Sequence, residues 1–311
     1  MKKILTLLII CLAYNSLLGQ VSPLSLKGTK IVDDKGDIVK LYGMSFSWHN
    51  WWGKYYNANY TSQLKNDWNC NVVRASIGVA EKNDWIKNSF YAQQCLDNVV
   101  TEAINQNLYV IIDFHSHELK LKEAIRFFGI QAKKYGKYPN VIFEIFNEPV
   151  NQTWPELKKY AEDVCKVIRK YSDNLILMGT PQWNQQLLMA VEDPIKGFDN
   201  LMYTLHFYSG THKDGLRRIL KKALDAGLPV FVSECGAMSA DGRGVINESE
   251  FNIWVDLLEK YDVPIILWSI ADKDETCSVL KPETDPDAHI DDSVLTEWGL
   301  MCKKFISEHN K

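Results

Sequence analysis

The stretch Val141-Ile142-Phe143-Glu144-Ile145-Phe146-Asn147-Glu148-Pro149 decides how this chain is read. A short apolar run bounded by a turn signal reads as a buried strand. This one leaves a carboxylate, Glu148, where the chain turns. The pattern recurs at Pro229-Val230-Phe231-Val232-Ser233-Glu234-Cys235-Gly236. A charge at such a place is expensive to desolvate, which makes both glutamates candidates for chemistry. Working outward, six further apolar runs appear at Val39–Met44, Asn71–Arg74, Tyr109–Phe114, Asn174–Met178, Leu201–Leu205 and Pro264–Trp268. Their spacing is roughly thirty residues, the length of one strand–helix unit. Amphipathic stretches lie between most of them: Tyr91–Gln106, Leu121–Tyr135, Glu156–Tyr171, Gly215–Ala226 and Glu248–Tyr261, with a last helix expected over Ser293–Ile306. Strand alternating with helix means a parallel sheet, and eight such units predict an α/β fold of the (β/α)8 TIM-barrel type in a single domain. Ahead of the barrel, Leu26-Lys27-Gly28 through Asp37-Ile38-Val39 predicts a short N-terminal β-hairpin turning at Asp34-Lys35-Gly36 and plugging the barrel floor. There is no Pro/Ser/Gly-rich linker, low-complexity tract or short sequence repeat.

The 311 residues, 46% of them hydrophobic, suffice for one large core. A formal charge of −4 gives no electrostatic footprint for nucleic acid or an anionic membrane surface. Lys2-Lys3 followed by Ile4–Ala13 is a basic n-region with an apolar h-region, and Gly19 before Gln20 suits cleavage. Residues 1–19 are therefore expected to be a signal peptide and 20–311 the catalytic domain of a secreted protein, free of the membrane once the signal is removed. The apolar run is short for a transmembrane span, which disfavours the alternative of an uncleaved anchor. Beyond it remain Cys70, Cys95, Cys165, Cys235, Cys277 and Cys302, which suit either two or three bridges or buried free thiols. Asn59, Asn151 and Asn247 begin Asn-x-Ser/Thr sequons.

A barrel of this type places functional residues at the C-terminal ends of its strands. Arg74, Asp113, His115, Asn147, Glu148, His206, Tyr208, Glu234 and Trp268 all fall there on the expected strand pattern. Glu148 and Glu234 lie about three units apart, so they face one another across the mouth. Two carboxylates separated by roughly 5–5.5 Å suit double displacement at a glycosidic carbon. Each residue has a plainer alternative. Glu148 can cap the next helix with Pro149 in its first turn, Arg74 can be a structural ion-pair partner, and Trp51, Trp52, Trp183 and Trp268 can be core. His115-Ser116-His117 also resembles a metal-binding His-x-His. However, the run at Asn174–Gly179 offers no histidine and no lysine stands at the end of the run at Val141–Phe146, so a neutral His115 donating to a carboxylate or sugar hydroxyl, and a solvated His117, are expected.

These residues carry a resemblance that spans essentially all of the chain beyond residue 19. Gly43-Met44-Ser45 with Trp51, Val73-Arg74, Ile112-Asp113-Phe114-His115, Phe143–Pro149, Gly179–Trp183, Leu205–His212, Val232-Ser233-Glu234 and Leu267–Glu275 are similar to glycoside hydrolase family 5, specifically its bacterial-type secreted endo-β-1,4-glucanases. The resemblance implies Glu148 as acid/base and Glu234 as nucleophile. It implies Arg74 and Tyr208 around the nucleophile, Asn147 on the sugar 2-hydroxyl, and His115 and His206 completing the site. Trp51, Trp183, Trp268, Lys273 and Glu275 are implied on the glucose-binding side. No metal or organic cofactor is implied, the partner is a β-glucan polysaccharide, and a monomer is the default. An arginine beside Glu234 predicts a lowered pKa there, with that of Glu148 raised relative to it. The chain departs from many relatives at Ser47-Trp48, where a histidine is common, at Phe114, where tryptophan is common, and at Cys235. Substrate preference therefore stays open between soluble or amorphous β-1,4-glucan and mannan, xyloglucan or mixed-linkage glucan. A non-catalytic glucan-binding barrel and a metal hydrolase are the remaining alternatives.

Overall fold

The computed structural model describes residues 21–310, so the expected signal peptide lies outside the described residues. The described part opens with an antiparallel hairpin, β1 (Ser25–Lys27) and β2 (Lys30–Val32). This hairpin turns at Gly28-Thr29, not at Asp34-Lys35-Gly36 as expected; the latter forms a second turn that brings Ile38 back against Val32. Gly28 has φ +65°, a conformation glycine adopts without steric cost. Gly36 has φ +86°, so both turns are open to the chain, and pairing of Ser25–Lys27 with Lys30–Val32 selects the earlier one for the hairpin.

Eight parallel strands then close into a barrel in the order β10-β3-β4-β5-β6-β7-β8-β9. They are β3 (Tyr42–Phe46), β4 (Val72–Gly78), β5 (Tyr109–His115), β6 (Val141–Glu144), β7 (Ile176–Met178), β8 (Leu201–Tyr208), β9 (Val230–Gly236) and β10 (Ile265–Ile270). The outer layer comprises α1 (Ala58–Asn66), α2 (Ser89–Asn105), α3 (Leu121–Tyr135), α4 (Trp154–Ile168), α5 (Leu187–Glu192), α6 (Asp214–Asp225), α7 (Glu248–Lys260) and α8 (Glu297–His309). Their starts follow local chemistry. Asn57, Asn88, Asn247 and Thr296 each accept a hydrogen bond from the first-turn backbone of the helix that follows. At α4, Glu156 reaches back to the Thr153 N–H and Pro155 occupies the first turn. Thr153 therefore caps that helix, and Glu148 does not.

The strands alternate with period two between two environments. On β5, Val110, Ile112 and Phe114 pack outward under the helices, while Tyr109 and Ile111 point inward. The inward set, with Ile142, Leu177, Met202, Phe231 and Ile266, fills the barrel floor, and Leu24, Ile31 and Leu41 close it from below. The hairpin region thus plugs the floor, as expected. Higher in the barrel the inward positions change from apolar to charged, with Asp113 above Ile111, Arg74 above Val72 and Glu144 above Ile142.

One departure from alternation shapes the site. Thr204 and His206 of β8 pair with Phe231 and Glu234 of β9, and Ile265 and Leu267 of β10 pair with Val232 and Cys235. Against both neighbours β9 therefore carries one extra residue, a β-bulge. Ser233 and Glu234 are consecutive, yet both face the barrel mouth.

All six described cysteines are free and buried. The plainer of the two expectations holds, because the large apolar core gives each thiol an ordinary packed position. Gly43 packs against β4 so closely that a Cβ would lie 1.7 Å from the Val72 carbonyl oxygen. Gly43→Ala is expected to cost about 3 kcal/mol or more by forcing β3 away from β4. Gly215→Ala, in open space near the start of α6, should shift stability by no more than about 1 kcal/mol. Urea unfolding of the two variants checks the contrast.

Candidate active site

The mouth is organised around Arg74. The expectation that it ends its strand is corrected, since it is the third residue of a seven-residue β4. It lies inside the barrel and is completely buried. Nε donates to Glu144 at 2.7 Å, Nη1 to Glu234 at 3.1 Å, and Nη2 to Asn147 Oδ1 at 2.7 Å and Asp113 at 2.9 Å. Burial opposes the guanidinium charge, but Asp113, Glu144 and Glu234 outweigh it and make the group more basic than usual. A planar fork with fixed donors can hold several carboxylates at set angles, which a lysine cannot. Asn147 spends its carbonyl on Arg74, leaving its buried Nδ2 without a partner. Asn147 lies beside a cavity that it lines together with Glu148, Tyr208 and Glu234.

Glu234 also accepts from the Tyr208 hydroxyl at 2.7 Å. It lies within β9 rather than at a turn, and the bulge is what aims it inward. Glu148 sits four residues beyond the end of β6, its N–H donating to the Ser116 carbonyl at 3.1 Å. Oxygens of Glu148 and Glu234 and a ring nitrogen of His206 lie within 4.8 Å of one another.

A hydrogen-bonded chain links the two glutamates from behind. Glu148 Oε1 meets His206 Nδ1 at 2.8 Å, His206 Nε2 meets Ser233 Oγ at 2.9 Å, and Ser233 Oγ donates to Glu144 Oε1 at 2.6 Å. Glu144, ionised against Arg74, can only accept, so Ser233 gives it its single proton. Ser233 must then accept from His206, which keeps a proton on Nε2 in every state. The titrating nitrogen is Nδ1, the one facing Glu148. Burial opposes charge on His206, yet Glu234, Glu144 and Glu148 push it up to about 10. Burial would also raise the Glu148 carboxyl, but hydrogen bonds from His117 and His206 outweigh it and hold it below the usual carboxylate range. Glu234 is pushed up, by burial first and then by the charge of Glu148, against the pull of His206 and Arg74. The order expected from sequence is thus inverted. Arg74 is shared among three carboxylates, while Glu148 has two imidazoles, only one of which was foreseen as part of the site.

His115 donates Nδ1–H to Asp113 at 2.6 Å and lies parallel to the Trp268 ring at 5.4 Å. Burial and the nearby Arg74 keep it neutral, as expected. His117 is not simply solvated: its Nε2 lies 3.2 Å from Glu148 Oε2. The two histidines serve different carboxylates and form no shared metal pair. On one side of the carboxylates a cavity of about 450 Å³ is lined by Ser47, Trp48, Trp51, Trp52, Trp268, Lys273 and Glu275. Lys273 pairs with Glu275 there. On the other side a cavity of about 470 Å³ includes His117, Glu148, Trp183, His206, Tyr208, His212 and Glu234. Trp183 thus lines a different cavity from Trp51, Trp268, Lys273 and Glu275, with which it was expected, and it stands in a left-handed turn at Gln182-Trp183-Asn184. Glu144, Ser233, Trp48 and His117 were missed as site residues. Glu144, a charge inside an apolar strand run, and His117, in the His-x-His after a strand, carried usable signals; Ser233 and Trp48 did not.

Ser233→Ala leaves His206 Nε2–H buried without an acceptor. Turnover efficiency is expected to fall about 10- to 100-fold with the fold intact, measured as kcat/KM beside circular dichroism; activity within about twofold of wild type would show that the chain of hydrogen bonds is idle.

Comparison with known proteins agrees with this architecture. Residues 32–274 match the model of the family described as cellulase (glycosyl hydrolase family 5). The chain is 40% identical over 304 residues to Endoglucanase Z of Dickeya dadantii, covering 95% of this chain and 68% of that protein. It is 37% identical to Endoglucanase A of Butyrivibrio fibrisolvens, covering 92% and 68%. Among solved structures, one from Cytophaga hutchinsonii superposes with TM-score 0.90 at 41% identity, covering 93% of this chain and 95% of that one. The catalytic domain of Thermobifida fusca endoglucanase Cel5A, solved with cellotetraose, superposes with TM-score 0.86 at 26% identity, covering 91% and 97%. With its closed eight-stranded barrel and paired carboxylates at the mouth, the chain belongs to glycoside hydrolase family 5.

Proposed function

We propose that this glycoside hydrolase is a secreted, retaining endo-β-1,4-glucanase that cuts internal bonds of cellulose or related β-glucans. The observation that carries the mechanism is the separation of Glu148 and Glu234, whose oxygens come within 4.8 Å. Oxygens this close suit the carboxyl groups roughly 5–5.5 Å apart of retaining enzymes better than the roughly 6.5–9.5 Å of inverting ones, which leaves room for a water. Cavities on both sides of the pair support an endo mode, since a chain can run through. Trp51 and Trp268 on one side and Trp183 on the other offer indole faces to glucose rings, while Lys273 and Glu275 bind hydroxyls. No cofactor is needed for this chemistry. The names of the relatives support β-1,4-glucan as substrate. The basic and apolar opening of the chain supports export.

In this reading Glu234, oriented by Arg74 and Tyr208, attacks the anomeric carbon, and Glu148 protonates the departing oxygen. His206 Nδ1 holds Oε1 of Glu148 at 2.8 Å, which leaves Oε2 as the oxygen that carries the delivered proton. An entering sugar desolvates the carboxylate and favours its neutral form, so Glu148 takes up a proton from solvent on Oε2 while His206 keeps its own and its charge. Once Glu148 is neutral, the charge that pushes Glu234 up is gone, and Arg74 and Tyr208 hold the nucleophile ionised. The intended protonation pattern thus forms on binding. Glu148 then deprotonates the water that releases the glycosyl-enzyme. Asn147 Nδ2 donates to the sugar 2-hydroxyl, a contact that strengthens in the transition state.

The test is viscosity loss and reducing-end release on carboxymethyl cellulose, with the anomer of the first product read by NMR. A rapid viscosity drop with β-anomer product is expected, and Glu234→Gln should lower kcat on the order of 10⁴-fold. An α-anomer product, or activity that survives in the variant, would remove the double-displacement assignment. Cleavage of mannan in preference to cellulose would move the substrate and leave the mechanism.

A further inference from the structure

Each oxygen of Glu148 faces a histidine nitrogen. Oε1 faces His206 Nδ1 at 2.8 Å and Oε2 faces His117 Nε2 at 3.2 Å. Only one of them can be released. His206 is buried, and its far nitrogen is tied to Ser233, so Oε1 is committed. His117 follows β5 on the cleft wall with 44% of its side chain exposed. Apart from Glu148, its ring meets Trp48 edge-on, with centroids 5.5 Å apart. Protonation of a glycosidic oxygen requires a carboxyl oxygen within hydrogen-bond reach, so Oε2 must become free.

We propose that His117 is a positioning residue for Glu148: its ring holds Oε2 and yields that oxygen to the glycosidic oxygen of an incoming glucan. This deepens the endoglucanase reading and rests on it. The Trp48 ring keeps His117 aimed at the carboxylate, while its exposed face gives it somewhere to go. The proposal also assigns Trp48 a place, as the wall that touches both His117 and His115.

A consequence in pH follows. The groups facing His117 and Glu148 are His206 from β8, Glu234 from β9, His115 from β5 itself, Glu118 paired with Lys120 beside it, and His212 and Asp241 across the cleft. Among them the direct contact of His117 with Glu148 stabilises the ionised carboxylate. Removing it lets Glu148 keep its proton to higher pH, so the alkaline limb of kcat/KM moves upward.

The test compares wild type, His117→Ala and His117→Gln across pH on carboxymethyl cellulose and on an aryl cellobioside with a poor leaving group. The alkaline limb is expected to move up by about one pH unit in His117→Ala, and by less in His117→Gln, which keeps a neutral donor. With dinitrophenyl cellobioside, whose leaving group needs no proton, formation of the glycosyl-enzyme should stay within about twofold of wild type. An unmoved limb, with both substrates slowed equally, would reduce His117 to a wall residue and overturn the proposal. A second readout does not depend on turnover: the His117 imidazole followed by NMR should titrate about half a pH unit or more lower in Glu148→Gln than in wild type. Failure of the endoglucanase reading would be seen as an inactive wild type. Failure of this proposal would be seen as a His117 titration that Glu148→Gln leaves in place.

Discussion

One buried cation holds the mouth of this barrel together. Arg74 donates to carboxylates on three other strands and to the Asn147 amide. Three buried acids would repel one another and resist desolvation without it. With it, their positions are fixed by one rigid fork. The same guanidinium that orients Glu234 makes Glu144 an obligate acceptor, which sets the proton on Ser233 and so the tautomer of His206. The electrostatics of the two catalytic candidates therefore share a single origin, although the residues lie on opposite sides of the cleft.

Much of the scaffold was legible in the sequence, because burial on both faces writes parallel strands as continuous apolar runs. α3 spans Leu121–Tyr135 in both the reading and the structure, and α7 differs only at its last residue. Strand ends were less legible. β4 and β9 extend past their apolar runs through Arg74 and Glu234, since inside a barrel mouth polar side chains are held by one another and the strand need not stop. The hairpin turn was misplaced because two glycine turns compete within ten residues, and only tertiary pairing chooses between them.

The site was legible as a set of residue types and much less as an arrangement. Glu148, Glu234, Arg74, Asn147, His115, His206 and Tyr208 do converge. The side of the cleft taken by Trp183 depends on three consecutive left-handed residues, Gln182 to Asn184, none of them glycine, so no composition rule marks the turn. The inverted proton affinities of Glu148 and Glu234 arise from how many partners each shares, a property of the network that no single residue announces. Ser233 looked like one more strand residue; its role appears only when its neighbours on β6 and β8 are known.

The bulge in β9 breaks the parity of a pleated strand. A regular strand would show the mouth either Ser233 or Glu234 and turn the other toward the helices. With one residue inserted, both stand on adjacent Cα atoms, about 3.8 Å apart. A displacement of that single peptide carries the Glu234 carboxylate and the support of His206 in the same direction by the same amount. The peptide that bears the nucleophile is thus also the one that ties His206, and through it Glu148, so both carboxylates take their placement from one point on the strand.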